Sequence, residues 1–229
     1  MTPAASELPQ RDLVDVRLAA AIDVGGCAIC VVRSRAESAS TVAVLDGERV
    51  MDIGFRASLE RSASFCRRHA AALIVADRRG SGILSTSILY GTLVSRRVAG
   101  LRDALGSHGR TRRRRLDDAG SRPPCVICAE GTGAAEVATQ RLVERSSDAA
   151  WAAVIGDIPF CLDDLVALVA TAGDSASFAP LTERQLARLD DLTERLDEYA
   201  HNSSPYRRHL MTDDQRRAAD EAARALGGD

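Results

Sequence analysis

The sequence predicts an all-α protein, and two observations carry that expectation. Aromatic residues make up only 3% of the 229 residues while Ala, Leu, Val and Arg abound. The core must therefore be built from small aliphatic side chains, which suits closely packed helices. The apolar runs, such as Ala71 to Ala76, sit in Ala-rich stretches and lack the period-two alternation and Asn-Gly turns of hairpins.

Taken in chain order, residues 1–26 read as a tail and lead-in that ends in a Val24-Gly25-Gly26 hinge. Residues 27–105 form a first unit. Ile29 to Leu45 suits an outgoing helix, Gly47 punctuates it, Val50 to Arg61 suits a returning helix, and Ser62 to Phe65 turns into a third helix that carries Ala70 to Ala76. Gly82 to Leu105 then reads as one long helix, with Ile83, Leu84, Ile88, Leu89, Leu93, Val94, Val98 and Leu101 at helical spacing as a core strut. Residues 106–124 carry Gly, Pro and charge and read as an Arg-rich linker or exposed loop.

A second unit, 125–178, repeats the plan. Its outgoing helix is Ile127 to Val143, its returning helix Ser147 to Ile155 with Ser146 or Ser147 as cap, and its third helix Cys161 to Ala172. Residues 179–229 form the C-terminal helices. There Thr182 and Gln185 suggest a capping box, Leu181 a staple onto Leu186, and Leu186, Leu189, Leu192 and Leu196 an apolar stripe for the bundle or for a homodimer seam.

With 45% hydrophobic and 27% charged residues and a net charge of -2, the chain is balanced like a folded domain and has no overall electrostatic glove for nucleic acid or anionic lipid. No apolar run approaches the ~20 residues of a membrane span, and MTPAASELPQ lacks the features of a secretory signal, so the expected location is cytoplasmic with no membrane partner. Arg112 to Arg115 remain a local candidate for a nucleic-acid or acidic partner, read against a simple solvated loop. His201 and His209, flanking a Pro-containing turn, read as surface residues. There is no phosphate loop, no H-E-x-x-H and no nucleophile elbow; GTGAAE at Gly131 lies within an expected helix and is no nucleotide fingerprint.

The chemistry lies in the six cysteines. Cys27, Cys30 and Cys66 are followed by His69, and Cys125, Cys128 and Cys161 are followed by Asp164. The two sets are offset by 98, 98 and 95 positions, as an internal duplication with one short deletion would produce. A disulfide framework belongs to small secreted chains, and buried free cysteines would not need two registers. Metal binding explains the spacing best, because three thiolates and an imidazole complete a tetrahedral zinc site. The simplest assembly closes each unit on itself: Cys27, Cys30, Cys66 and His69 in one site, and Cys125, Cys128, Cys161 and Asp164 in the other. Asp164 has several readings: a zinc ligand, the edge of an open metal site with Asp163 or Asp164 as base, or a residue complementing a helix dipole. An iron-sulfur cluster is the alternative cofactor.

In CAIC, FCRRH, CVIC, FCLDD and the terminal LTERLDEYAHNSSPYRRHLMTDDQRRAADEAARAL, the chain resembles an uncharacterised bacterial family, frequent in actinobacteria, with duplicated Cys-x-x-Cys and Phe-Cys-x-x-His motifs on helices. The likeness spans most of Cys27 to Leu226. It implies metal binding and brings no established reaction, and it departs from the family pattern at Asp164, where that pattern has His. Whether the protein is an enzyme, and whether its partner is a protein or a small molecule, stays open at this level.

Overall fold

The computed structural model describes residues 7–62, 64–80, 82–121, 124–203, 206 and 208–227. Among these residues the chain is all-α. Its helices are α1 (Leu13–Ile22), α2 (Ala28–Val44), α3 (Gly47–Met51), α4 (Ile53–Ser62), α5 (Arg67–Arg79), α6 (Leu84–Leu105), α7 (Gly109–Gly120), α8 (Val126–Arg145), α9 (Ala149–Asp157), α10 (Leu162–Ala172), α11 (Ala179–Asn202) and α12 (Asp213–Ala225). None of the described helices is long and apolar enough to cross a membrane. The chain divides into two compact units: residues up to Ser34 together with those from Gly133 onward, and Arg35–Thr132. Each unit thus draws on both of the stretches, 27–105 and 125–178, that the sequence suggests as separate units.

Unit one packs Leu18, Ile29, Leu142, Trp151, Ile155 and Leu168 into one core, all essentially inaccessible to solvent. Helix α1 lies in the segment read as a lead-in. Asp12 starts it, accepting from the N–H groups of Val14 and Asp15, and its inner face buries Leu18, Ala19 and Ala21. The fully buried Asp15 on the same helix pairs with Arg145 of α8, whose Nε donates to Asp15 Oδ1 at 3.1 Å, and its other oxygen accepts from the backbone of Arg11 at 2.8 Å. Trp151 on α9 is fully buried and spends its indole N–H on the carbonyl of Pro9. Helix α9 is capped by Asp148, one or two residues beyond the serines suggested by the sequence.

Helix α11 begins earlier than its sequence signal. Pro180 near its start fits the first turn, Thr182 already donates its hydroxyl to Phe178 O, and Gln185 turns inward to the carbonyls of Gly156 and Ile158. Leu186 is exposed, so the proposed staple does not form, and the stripe is buried at Leu192. Among the described residues, Thr212 and Gln215 make a capping box at the start of α12.

Unit two is built on Val44, Val50, Leu59, Leu73, Leu89 and Ile127. The expected single returning helix is broken into α3 and α4 because Asp52 stops one and caps the other, its Oδ1 accepting from the N–H groups of Gly54 and Phe55. The α6 strut is only half internal: Leu89 is buried, while Val94, Val98 and Leu101 are exposed. The expected loop after it is the helix α7, which packs on α6. Arginine is a good helix former, and four consecutive arginines outweighed the flanking glycines. Short of the Cys125 pair, Ser64 and Cys125 make a parallel bridge, with Ser64 N–H bonded to Pro124 O and Val126 N–H to Ser64 O.

Candidate metal centres

All four cysteine-bearing segments deliver their sulfurs at helix starts. Cys30 and Cys128 lie in the first turns of α2 and α8, with Cys27 and Cys125 just before them. Cys66 and Cys161 are the N-caps of α5 and α10, and Cys66 Sγ accepts from the His69 N–H at 3.5 Å. Unpaired N–H groups and the positive end of the helix dipole favour thiolate at these positions.

The pairing differs from the one suggested by the sequence. In unit two, Cys66 and His69 meet Cys125 and Cys128; in unit one, Cys27 and Cys30 meet Cys161 and Asp164. In each group the candidate ligand atoms lie within 4.8 Å of one another. In unit two a parallel bridge holds the segment before Cys66 beside Cys125.

In the His69 centre, Nδ1 lies 3.4, 3.4 and 3.2 Å from the sulfurs of Cys66, Cys125 and Cys128, and the Cys66 and Cys128 sulfurs are 3.8 Å apart. In the Asp164 centre, Oδ2 lies 3.1 Å from each of the sulfurs of Cys27, Cys30 and Cys161, and the Cys30 and Cys161 sulfurs are 3.6 Å apart. A tetrahedral zinc ion with bonds of about 2.3 Å to sulfur and 2.0 Å to nitrogen or oxygen has ligand edges of roughly 3.5 to 3.8 Å. Both groups come close to that cage. Hydrogen bonding alone does not explain them: one imidazole nitrogen cannot serve three sulfurs at once, whereas one cation at the centre satisfies all four donors. The thiols in each group also perturb one another. Hydrogen bonds from Cys161 and Cys30 lower Cys27 to about 4 while hydrogen bonds with Cys161 and Cys27 push Cys30 up, and burial pushes Cys128 up to about 12.

Behind each fourth donor stands a charged residue without a sequence motif. His69, 4% exposed, turns Nε2 to Glu37 Oε2 at 3.4 Å, and Arg68 grips both Glu37 oxygens at 2.8 Å. Asp164, 3% exposed, gives its second oxygen to Arg33 Nη2 at 2.6 Å. Arg33 also reaches Cys30 Sγ at 3.7 Å. Aligned on their cysteine pairs, Arg33 stands opposite Gly131 and Glu37 opposite Ala135. That register comparison is the signal that could have exposed both partners.

The remaining candidates do not join these groups. Asp163 is exposed in the first turn of α10, and His201 and His209 are exposed; Pro205, between the two histidines, lies outside the described residues. Arg112 to Arg115 lie exposed on α7, where Arg115 donates to Ser107 Oγ at 2.9 Å and pairs with Asp103. A scan against protein-family models, a search of curated proteins and a search of solved structures each find no match for this chain.

Proposed function

We propose that this protein is a zinc-binding helical protein in which each compact unit is closed by one ion: Cys66, His69, Cys125 and Cys128 in unit two, and Cys27, Cys30, Cys161 and Asp164 in unit one. The observation that carries the reading is the convergence of three sulfurs and one nitrogen or oxygen at tetrahedral spacing in both units. Thiolate-rich tetrahedral sets select zinc among the common divalent ions, and four protein ligands with no open position mark a structural rather than a catalytic centre. An iron-sulfur cluster places several atoms between its ligands and would hold them farther apart than these donors stand. Asp164 adds a negative charge that His69 does not, and Arg33 supplies the positive charge that offsets it. Metal binding then contributes directly to folding, since the donors come from distant parts of the chain.

The test is metal and acid-labile sulfide content on anaerobically purified protein, followed by chelation. Two zinc ions per chain, no sulfide, and a loss of helicity with a lowered melting temperature on chelation are expected. Metal-free protein with unchanged melting would return the cysteines to the core, and iron with sulfide would replace zinc by a cluster.

A further inference from the structure

Unit one contains a cavity of about 460 Å³ framed by the turn from Val24 to Cys27, by Pro159 to Cys161, and by faces of α11 and α12. Its volume is typical of a small-molecule site. Two sulfurs of the Asp164 centre, those of Cys27 and Cys161, belong to residues in its wall. The turn beside them depends on Gly25 and Gly26, both in the left-handed region at φ 83° and 74°, where a side chain would be strained.

The opposite chemistry comes from the two C-terminal helices. They run antiparallel, with Gln215 Nε2 bonded to Glu198 Oε2 and Arg195 Nη2 to Glu221 Oε2, each at 2.6 Å. That register gathers Arg188, Arg195 and Arg224 around the single carboxylate of Glu221. The Glu221 carboxyl is held below its ordinary value by the hydrogen bond from Arg195, against the opposing effect of burial, and by the charges of Arg195, Arg188 and Arg224. Arg195 is satisfied by Glu221 and by Asp191 at 2.9 Å. Among the described residues Arg188 and Arg224 form no ion pair of their own, and Arg188 reaches only the carbonyl of Asp157 at 3.4 Å. Much of the remaining lining is apolar, notably Phe160, Leu189, Leu192 and Ala225.

We propose that this cavity binds a small organic anion of the alkanoate type. Its charged head sits on Arg188 and Arg224, and its chain runs over Phe160, Leu189 and Leu192 towards Cys27 and Cys161. The polarity follows from charge: Arg188 and Arg224 stand in the wall contributed by the C-terminal helices, so an anionic head is driven to that guanidinium end. An anion held by guanidinium groups gains charge-assisted hydrogen bonds, and the apolar chain gains burial. Binding itself rests on this wall and not on the identity of the metal.

Calorimetric titration of the full chain with octanoate tests the proposal, with zinc content measured on the same samples so that loss of the metal reading and loss of this one are separable. Saturable binding is expected, weakened roughly 10- to 100-fold in Arg188→Ala/Arg224→Ala, the fold-change of losing charged hydrogen bonds. Ala225→Phe, which fills the cavity and leaves the arginines in place, should block binding as well; far-UV circular dichroism checks that both variants keep their helices. Octanamide should bind more weakly than octanoate. Absence of saturable octanoate binding, equal affinity in the arginine variant, or inorganic phosphate binding as tightly as octanoate would overturn the proposal.

Discussion

Glu37 lies in the space left by the missing side chain of Gly131: a Cβ built there would come within 2.6 Å of Glu37 Cγ and 3.0 Å of its Oε1. Glycine inside a helix costs about 1 kcal/mol relative to alanine, and α8 carries it at the point where Glu37 must pass to reach His69. Gly131→Ala should therefore improve the helix locally and harm the centre, lowering zinc affinity at the His69 group roughly 10- to 100-fold. Competition with a chromophoric chelator measures it. Glu37→Gln, with no steric change, should show a shift in the same direction, and unchanged affinity in both variants would show that Glu37 does not support the ligand.

Arg33 is expected to hold Asp164 as Glu37 holds His69. Arg33→Ala leaves the carboxylate without its cation beside three sulfurs and should weaken zinc at the Asp164 centre by roughly 10- to 100-fold. Adding Asp164→His to that variant removes the excess charge and should recover most of the affinity. Chelator competition on the single and double variants decides it; a double variant no better than Arg33→Ala would remove charge compensation as Arg33's role.

The crossed pairing makes a counting prediction. A protein with Cys27→Ser and Cys161→Ser loses two ligands of one centre and should retain one zinc ion per chain. Cys27→Ser with Cys66→Ser touches both centres and should retain none under competition by a strong chelator. Pairing within each set would give the reverse pattern, so elemental analysis of the two variants distinguishes the arrangements.

Acid sensitivity of unit one should trace to Asp15. Although burial opposes ionisation, the hydrogen bond from Arg145 and the nearby N–H of Arg11 leave its carboxyl below the ordinary value of 3.8. A depressed folded-state value means that the pair contributes fully above the unfolded value, and that this contribution is lost as pH falls through the folded one. Asp15→Asn leaves Arg145 buried without a counter-charge and should cost about 3 kcal/mol or more at neutral pH. Trp151, the single tryptophan and part of the same core, reports this by fluorescence. The variant should show a lower midpoint at pH 7 and a flatter acid limb than the parent.

Much of the fold was legible because glycine, proline and cysteine punctuate it. Helices α2, α6, α8 and α10 begin and end within a few residues of their sequence signals. The residues that come together were legible as candidate ligands because soft donors at Cys-x-x-Cys and Cys-x-x-His spacing have few other uses. Their pairing was not, since periodicity describes one helix at a time and the clip between Ser64 and Cys125 leaves no local mark. Helix α1 was missed because ten helical residues inside a longer lead-in look unremarkable until their inner face meets α8. Arg33 and Glu37 were missed because a single charged residue on a helix reads as solvated; only its counterpart in the other set, Gly131 or Ala135, shows that something is different there.

The crossed pairing also implies an order of events during synthesis. The His69 centre closes contacts over 56 to 62 residues, and the Asp164 centre over 131 to 137. Until a nascent chain exposes Cys125 and Cys128, Cys66 and His69 lack the other two donors of their centre, and of the two groups the one in unit two is the first whose four donors are all made. Cys27 and Cys30 wait until Cys161 and Asp164 emerge from the ribosome. Under the proposed metal binding, a polypeptide that stops short of residue 164 cannot assemble the second centre.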